Sequence, residues 1–468
     1  MKKVYLMIMS LVALTGCNDF INLNPISQSS ANGFYSTEYE MEQGLAAAYG
    51  NLQASDQYGG NGFPSFMEVP SDNTWNLNTT QNGGRSAAFD NFVVDPNNAQ
   101  LASTWISCYN GIQKVNLVIT RLNASTSITE ASKNRILGEA YFLRALTYFN
   151  MVRIWGNIPL ITKEVDNVND AFNHTQSEPA EVYAQIIKDL EFSISNLPAR
   201  HTGKNVGRAT KGAAQTLLAK VYMTHSEWAK AKSLLTDIIS SGIYELVPNF
   251  ADVFSVSNKN NVESIFEVQF DKEIQGEGYY GGDPLQTGND VNNLPSNNLI
   301  SLFNENIDDR KDATIINLGT QGMRLYKWHD TKGSNGGMGF NIIVLRYADV
   351  LLMAAETLNE LSYGDNSALN YLNMVRARSH APLYTFEELS NQVKFRDAVE
   401  KERRLELAFE NHRWFDLLRT GKALETVNKN DGGSVLTVNA QKHQLLFPIP
   451  QGQIDASGNK LQQNDGYK

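Results

Sequence analysis

A charged segment near the carboxyl-terminal end carries the residues whose spacing best suits acid–base chemistry. Arg403, Glu406, Glu410 and Arg413 follow one another at intervals of three, four and three residues, within a helix predicted over residues 395–418. Two carboxylates on one helical face could act as a general acid and a general base. Arginines flank both carboxylates at helical spacing, and this pattern favours a network of ion pairs. We therefore predict a structural role for the cluster.

Motifs of known enzyme chemistry are scarce. Residues Gly276–Gly281 match the GxGxxG pattern of dinucleotide-binding loops, but a loop rich in glycine and asparagine follows where a helix should begin. The seven histidines include no HExxH pair, and the GxSxG and GxxxxGK[ST] patterns are absent. We predict a protein that is not an enzyme, with no catalytic residues, no cofactor and no metal site. A surface hydrolase stays open as an alternative, because 50 acidic residues offer many long-range carboxylate pairs.

Two of the six tryptophans stand outside the helical pattern, in long polar loops. Trp75 lies within residues 55–98, and Trp328 lies just before residues 330–339. A third polar loop spans residues 271–298. Flat aromatic side chains stack on the C–H face of a sugar ring, while amide, carboxylate and guanidinium groups bond its hydroxyls. The candidate ligand-binding residues are Asp72, Asn73, Trp75, Arg85, Tyr279, Tyr280 and Trp328.

Helices predominate among the elements that must position these loops. Three pairs of neighbouring helices, within residues 134–197, 207–246 and 347–378, resemble tetratricopeptide hairpins, in which two antiparallel helices pack through small residues. One strand is predicted at residues 264–270. The fold is therefore expected to be mostly α, with long loops and a few short strands. Apolar spacing of three and four marks residues 38–52, 101–122, 133–154, 178–197, 209–224, 227–240, 347–361, 366–378 and 395–418.

The amino terminus has the pattern of a bacterial lipoprotein signal. Lys2 and Lys3 precede a short apolar run over residues 4–14, and small residues then lead to Cys17. The run is too short to span a bilayer. We predict a signal peptide over residues 1–16 and acylation of Cys17. The polar residues directly after this cysteine are compatible with export to the outer membrane.

The net charge and the number of cysteines restrict the kinds of molecule that the protein can bind and the covalent bonds that it can form. Loss of Lys2 and Lys3 leaves 38 of the 40 basic residues against 50 acidic ones, so the net charge moves from −10 to −12. An acidic surface argues against nucleic acid and against electrostatic adhesion to anionic lipid. With Cys17 acylated, only Cys108 remains, so no internal disulfide can form. We expect Cys108 to be buried in a helix.

A series of motifs in a fixed order identifies a family. Taken together with the lipoprotein signal, they resemble the SusD/RagB family of outer-membrane lipoproteins, and the resemblance covers nearly the whole chain. It implies a SusD-like fold with a part at residues 17–250, which contains tetratricopeptide-like helices, and a part at residues 251–468, packed together as one lobe. The motifs are EAYFLRALTYF at 139–149, WGNIPL at 155–160, RATKGAA at 208–214, RYADVLLMAAE at 346–356, NMVRAR at 373–378, EKERRLELAFE at 400–410, HRWFDLLR at 412–419 and FPIP at 447–450.

The resemblance also implies a function. Members of this family lie as a lid over a partner SusC-like TonB-dependent transporter at the cell exterior, bind oligosaccharides or in some cases peptides in their loops, and pass them on for import. We therefore expect a surface lipoprotein that binds oligosaccharide without breaking it. A peptide-binding RagB-like protein, a surface glycan hydrolase and a purely structural lid stay open as alternatives, because aromatic stacking does not identify the ligand.

Overall fold

Helices make up most of the fold, as the periodicity of the sequence predicts. The computed structural model describes residues 35–76, 87–167, 170, 173–281, 293–305, 309–432 and 437–467. The α-helices are α1 Glu38–Leu52, α2 Pro64–Met67, α3 Ala87–Asp90, α4 Ala99–Ala124, α5 Glu130–Trp155, α6 Pro179–Asn196, α7 Lys211–Thr224, α8 Trp228–Ser240, α9 Asn297–Asn304, α10 Arg310–Thr314, α11 Tyr347–Leu361, α12 Asn366–Arg378, α13 Gln392–Glu406, α14 Arg413–Arg419, α15 Ala423–Val427 and α16 Gln451–Ala456. The strands are β1 Thr74–Trp75, β2 Ser264–Val268, β3 Leu294–Pro295, β4 Ile315–Asn317, β5 Met323–Leu325 and β6 Ile342–Arg346.

The long helices pack side by side, largely in chain order. Helix α4 packs against α5, α5 against α6, α6 against α7 and α7 against α8; α8 then lies against α11, which packs against α12. The three predicted hairpins are the pairs α5–α6, α7–α8 and α11–α12, and they are confirmed. In the second hairpin, Thr210 begins α7 by accepting the Ala213 N–H at 3.2 Å, and Ala231, Leu235 and Ile238 form the buried face of α8.

The helix predicted over residues 395–418 is in fact two helices, α13 and α14, separated by a turn. Phe409 and Asn411 in this turn have φ values of 65° and 64°, in the left-handed region that ends a right-handed helix. Their backbone N–H groups donate to the carboxylate of Glu68 at 3.0 and 3.1 Å. The single-helix prediction was wrong because Glu68, more than 300 residues away in the chain, bonds N–H groups that a continuous helix would have paired internally.

Three two-stranded antiparallel sheets join distant parts of the chain. Strand β2 pairs with β6, β4 with β5 and β1 with β3. Strand β2 confirms the strand predicted at residues 264–270, although it ends at Val268. The β1–β3 pair matters most for the candidate site, because it joins two of the long polar loops.

The hydrophobic core receives side chains from both ends of the chain. Phe142 of α5 packs edge-on against Phe266 of β2, and Phe66 of α2 packs edge-on against Phe447. Cys108 is fully buried, as expected. The boundary between residues 17–250 and 251–468 stays a prediction. Within the described ranges, no helix combines the length and the apolar character needed to cross a bilayer.

Candidate ligand-binding site

The three long polar loops meet one another. Trp75 on β1 pairs with Leu294 on β3, which joins the first loop to the second. Tyr279 and Met338 form an antiparallel bridge, which joins the second loop to the third. The backbone nitrogen of Tyr279 lies 2.8 Å from the carbonyl oxygen of Met338, and the nitrogen of Met338 lies 3.0 Å from the carbonyl oxygen of Tyr279. The GxGxxG segment therefore takes part in a bridge between loops and has no helix within residues 276–281.

Trp75 is held on a short strand whose neighbours are buried. Asn76 donates its backbone N–H to the carboxylate of Asp90 at 3.1 Å, and its side-chain oxygen accepts the backbone N–H of Asn293 at 2.9 Å. Thr74 pairs with Pro295 on the opposite strand. The Trp75 side chain itself is only partly buried. These bonds fix the backbone on both sides of an aromatic ring that keeps contact with solvent.

Asp72, directly before this strand, is bound by two arginines. Arg413 donates from Nε and Nη2 to the two carboxylate oxygens at 2.7 and 3.0 Å, and Arg404 approaches to 3.2 Å. Burial opposes ionisation, yet the two guanidinium groups hold the pKa of Asp72 below its usual value. With its oxygens bonded in this way, Asp72 anchors the loop to the scaffold. It also lines a polar cavity of about 290 Å³.

Asn73 is fully buried between two charged groups. Its amide nitrogen donates to Glu68 at 2.9 Å, and its amide oxygen accepts from Arg404 Nε at 2.9 Å. Both ends of the amide are therefore engaged within the protein, and Asn73 acts as a connector between the loop and α13. The sequence gives no signal for Glu68, because two of the three residues whose N–H groups it accepts lie more than 300 residues away in the chain.

Glu68 is the central acceptor of this region. In addition to Asn73, it accepts the backbone N–H groups of Phe409 and Asn411, so that it joins the loop before β1 to the turn between α13 and α14. Burial raises the pKa of Glu68 to about 7, against the opposing effect of these three N–H donors. One buried carboxylate thus connects the Trp75 loop to the helix break.

Tyr280 is the most exposed of the described candidate residues, with 46% of its surface accessible. Its ring lies over the glycine backbones of the second and third loops: a Cβ atom added to Gly337 would stand 3.1 Å from Tyr280 Cε1, and one added to Gly278 would stand 2.9 Å from Gly337 Cα. Glycine allows this close approach of two backbones beneath the ring. Tyr279, by contrast, packs its ring against Phe270 and Phe340 and is only partly accessible.

Trp328 is 5% exposed and packed into the protein. Its Nε1–H donates to the carbonyl oxygen of Phe409 at 2.9 Å, and its ring meets Phe254 edge-on at a centroid distance of 5.1 Å. In this arrangement Trp328 offers almost no ring face to a ligand. It bonds the carbonyl oxygen of Phe409, the residue whose backbone N–H donates to Glu68. Arg85 lies outside the described residues.

The two glutamates that could have formed a catalytic pair are buried in ion pairs. Glu406 is bonded by Arg310, Arg346 and Arg378, and Glu410 is bonded by Arg346 and Lys327. These cations hold the pKa values of both carboxyls below the usual range despite burial. The predicted ion-pair network is confirmed, but its partners come from elsewhere in the fold and not from Arg403 and Arg413 on the same segment.

Metal binding finds no support in the part of the chain that the structure describes, where no group of three or more histidine, cysteine, aspartate or glutamate side chains is placed to hold an ion. The features that distinguish this region are the partly accessible rings of Trp75 and Tyr280, on loops that buried charged groups hold in place.

Sequence comparisons place the chain in a family. A family model described as the SusD family matches residues 304–467, and a second, described as starch-binding and associating with the outer membrane, matches residues 19–223. A SusD-like protein P25 from Formosa agariphila is 25% identical over 513 aligned residues, which cover 97% of each chain.

Solved structures agree with this assignment. A laminarin-binding SusD-like protein is 29% identical and superimposes with a TM-score of 0.78, covering 92% of this chain and all of the other. Surface glycan-binding protein A from Bacteroides thetaiotaomicron, in complex with laminarihexaose, is 25% identical with a TM-score of 0.77, covering 91% of this chain and 99% of the other. The order of the helices, the packing of the three hairpins and these matches together lead to one conclusion: the chain belongs to the SusD/RagB family.

Proposed function

We propose that this protein binds oligosaccharide non-covalently at the cell surface and delivers it to a partner SusC-like TonB-dependent transporter. The observation that carries the proposal is the likeness, over more than nine-tenths of the chain, to two proteins that bind laminarin or laminarihexaose. Laminarin oligosaccharides are therefore the first ligands to test. The partner transporter and the import step follow from the family and are part of the proposal.

The ligand would be held mainly by Trp75 and Tyr280. Both rings are accessible, both stand on loops, and their backbones are fixed by strand pairing or by close glycine contacts. A pre-positioned ring stacks on a sugar with little loss of conformational entropy. Asp72, Asn73 and Trp328 would act by holding these loops, since their polar groups already bond within the protein. Arg85 and Tyr279 stay predicted ligand contacts.

The protein would carry out no bond-breaking step. Glu406 and Glu410 are buried and fully engaged with arginine and lysine side chains, so they cannot approach a glycosidic bond as an acid and a base. The relatives that support the proposal are named for binding and not for hydrolysis.

The membrane attachment would be a lipid anchor on Cys17, with the loops facing the exterior. The family that matches residues 19–223 is described as associating with the outer membrane. A Cys17→Ser variant should lose incorporation of labelled palmitate and should leave the membrane fraction. Retention of the variant in the outer membrane with unchanged labelling would contradict the anchor.

One experiment tests the function as a whole. The chain from Asn18 onward, which contains every described residue, is titrated by calorimetry with laminarin oligosaccharides, with other glycans and with a peptide mixture, and each mixture is then examined for products by chromatography. We expect saturable binding of one glycan class and no products. Glycan turnover would favour the hydrolase, and binding of peptides alone would favour a RagB-like role. If the chain binds none of these ligands but still purifies with the transporter, a structural lid would be favoured.

A further inference from the structure

A second cavity lies on the helical scaffold, and its walls include residues of α5, α7 and α14 together with Leu445 and Leu446. Its volume is about 410 Å³, within the range of small-molecule sites in proteins. Its walls are largely apolar and include Val152, Met223, Met353 and Leu418. None of the described candidate glycan-binding residues is among the residues that line it.

Arg153 of α5 lines this cavity between two aromatic rings. Its guanidinium carbon lies 3.6 Å from the ring centre of Phe149 and 3.7 Å from that of Phe415. Nε donates to the carbonyl oxygen of Phe149 at 2.9 Å, and Nη2 donates to the side-chain oxygen of Asn150 at 2.7 Å. Both acceptors lie on the same helix, and neither carries a charge.

Among the described residues, no carboxylate lies within 4.0 Å of the Arg153 guanidinium, and its Nη1 atom makes no hydrogen bond. The other cations that line the cavity do have carboxylate partners. They are Lys220, which bonds Asp349; Arg403, which bonds Asp349 and Asp416; and Arg419, which bonds Glu356 and Asp416.

Arg153 is therefore a cation without a described carboxylate in direct contact, and Asp416, which lines the same cavity, acts on it at longer range. Burial lowers the pKa of Arg153 to about 10, so the group stays protonated near neutral pH. A charge removed from water without a partner is unfavourable, and an anion in the cavity would offset that penalty. The aromatic rings above and below leave the edge of the guanidinium, where Nη1 lies, as the direction of approach.

Lys220 offers a second donor to the same space. Its ammonium donates to Asp349 Oδ2 at 2.5 Å and contacts His412 Nδ1 at 3.2 Å. Burial and the neighbouring ammonium lower the pKa of His412 to about 3, so the imidazole is neutral and its Nδ1 accepts from Lys220. An ammonium has three protons, and these two contacts engage two of them.

We propose that this cavity binds a small organic monocarboxylate with an apolar body, whose carboxylate bonds Arg153. One positive charge without a direct ion pair favours one negative charge on the ligand, and the apolar part of the walls favours a hydrocarbon or aromatic remainder. The site is independent of the proposed glycan function.

Octanoate is the probe, with octanol as the uncharged ligand of equal chain length and acetate as the anion without an apolar body. Calorimetry with the chain from Asn18 onward, at pH 7, should give saturable octanoate binding, and octanol and acetate should bind about tenfold more weakly or worse. Equal affinity for octanoate and octanol, or no saturable octanoate binding, would overturn the proposal.

Two variants locate the site. Arg153→Met keeps an unbranched chain between the two rings but removes the charge, so octanoate affinity should fall about tenfold or more and the preference over octanol should vanish. Leu446→Trp enlarges a side chain that lines the cavity and is 36% exposed, so it should weaken octanoate with little effect on folding. Lys204→Met, an exposed cation elsewhere, is the control and should bind as the parent does.

Unchanged octanoate affinity in folded Arg153→Met or in Leu446→Trp would contradict the assignment. If Arg153→Met does not fold, the comparison of octanoate with octanol and the Leu446→Trp variant still decide the question.

Discussion

Asp72 and Arg413, which are 341 residues apart in the chain, form a two-point ion pair in which Nε and Nη2 of the arginine meet the two carboxylate oxygens at 2.7 and 3.0 Å. Asp72 precedes the strand that carries Trp75, and Arg413 begins the helix after the break in the charged segment. The position of the proposed glycan-stacking ring is thus tied to the carboxyl-terminal scaffold. A change in either partner should affect both stability and ligand binding.

Replacement of Asp72 by alanine tests this link. The Asp72→Ala variant removes the carboxylate that Arg404 and Arg413 share and leaves Arg413 only its longer contact to Glu400, so we expect the free energy of unfolding in urea to fall by about 3 kcal/mol and glycan affinity to weaken. Asp309→Ala, which removes an exposed partner of His380, is the matched control and should change stability by less than about 1 kcal/mol. Equal effects of the two substitutions would contradict the structural role of Asp72.

The buried glutamates make a second prediction. Glu406→Gln removes the charge that Arg310, Arg346 and Arg378 share, and we expect it to lower the free energy of unfolding by about 3–5 kcal/mol. Glu425→Gln, in a mostly exposed pair with Lys429, should be nearly neutral. A Glu406→Gln protein of parental stability would show that the network is not structural and would reopen a chemical role.

A third prediction concerns pH. Burial raises the pKa of Asp90 to about 7, above its value of about 3.9 in an unfolded chain. The folded state therefore holds the Asp90 proton more tightly. This contribution to stability is fully present below about pH 4 and is lost as the pH rises through about 7.

Asp90→Asn stays uncharged at every pH, so the variant should gain stability relative to the parent between pH 4 and pH 8, by about 2–4 kcal/mol. Urea unfolding of both proteins at several pH values measures the difference. Asp237 is exposed, so the free energy of unfolding of the Asp237→Asn variant should change with pH as that of the parent does. If the stability of Asp90→Asn follows that of the parent at every pH, the Asp90 carboxyl ionises near its ordinary pKa in the folded protein, and burial does not raise that pKa.

A fourth prediction separates the two loop tryptophans. Trp328→Ala should lower the free energy of unfolding by about 3–5 kcal/mol, because the ring is buried. Trp328→Phe keeps most of the packing but loses the bond to the Phe409 carbonyl, and should cost about 1–2 kcal/mol while leaving glycan affinity nearly unchanged. A folded Trp328→Phe protein that no longer binds glycan would contradict the prediction that the buried packing of residue 328 is enough to hold the binding loops.

The helical scaffold was predictable because its signal is local. Apolar spacing of three and four gave the bounds of Glu38–Leu52, Tyr347–Leu361 and Asn366–Arg378 as the structure has them. The same local signal failed at the turn after Glu406, where the decisive group is the carboxylate of Glu68. No pattern within a window of a few turns contains that contact.

The candidate site was predictable only in part, for the same reason. Trp75 and Trp328 both stand outside the helical pattern, in or beside polar loop segments. Their different exposure depends on Phe254 and Phe340, which pack around Trp328 from other segments. Composition could propose both rings, but only tertiary contacts separate an accessible ring from a packed one.

The proposed binding site is tested most directly by calorimetric titration of laminarihexaose into the chain from Asn18 onward and into its Trp75→Ala, Tyr280→Ala and Tyr39→Ala variants. Tyr39 is an aromatic residue on α1 with 71% of its surface exposed, and it serves as the control. We predict saturable binding to the parent and to Tyr39→Ala, and a loss of about tenfold or more in each of the other two variants without loss of folding. Parental affinity in both Trp75→Ala and Tyr280→Ala would contradict the proposed binding site.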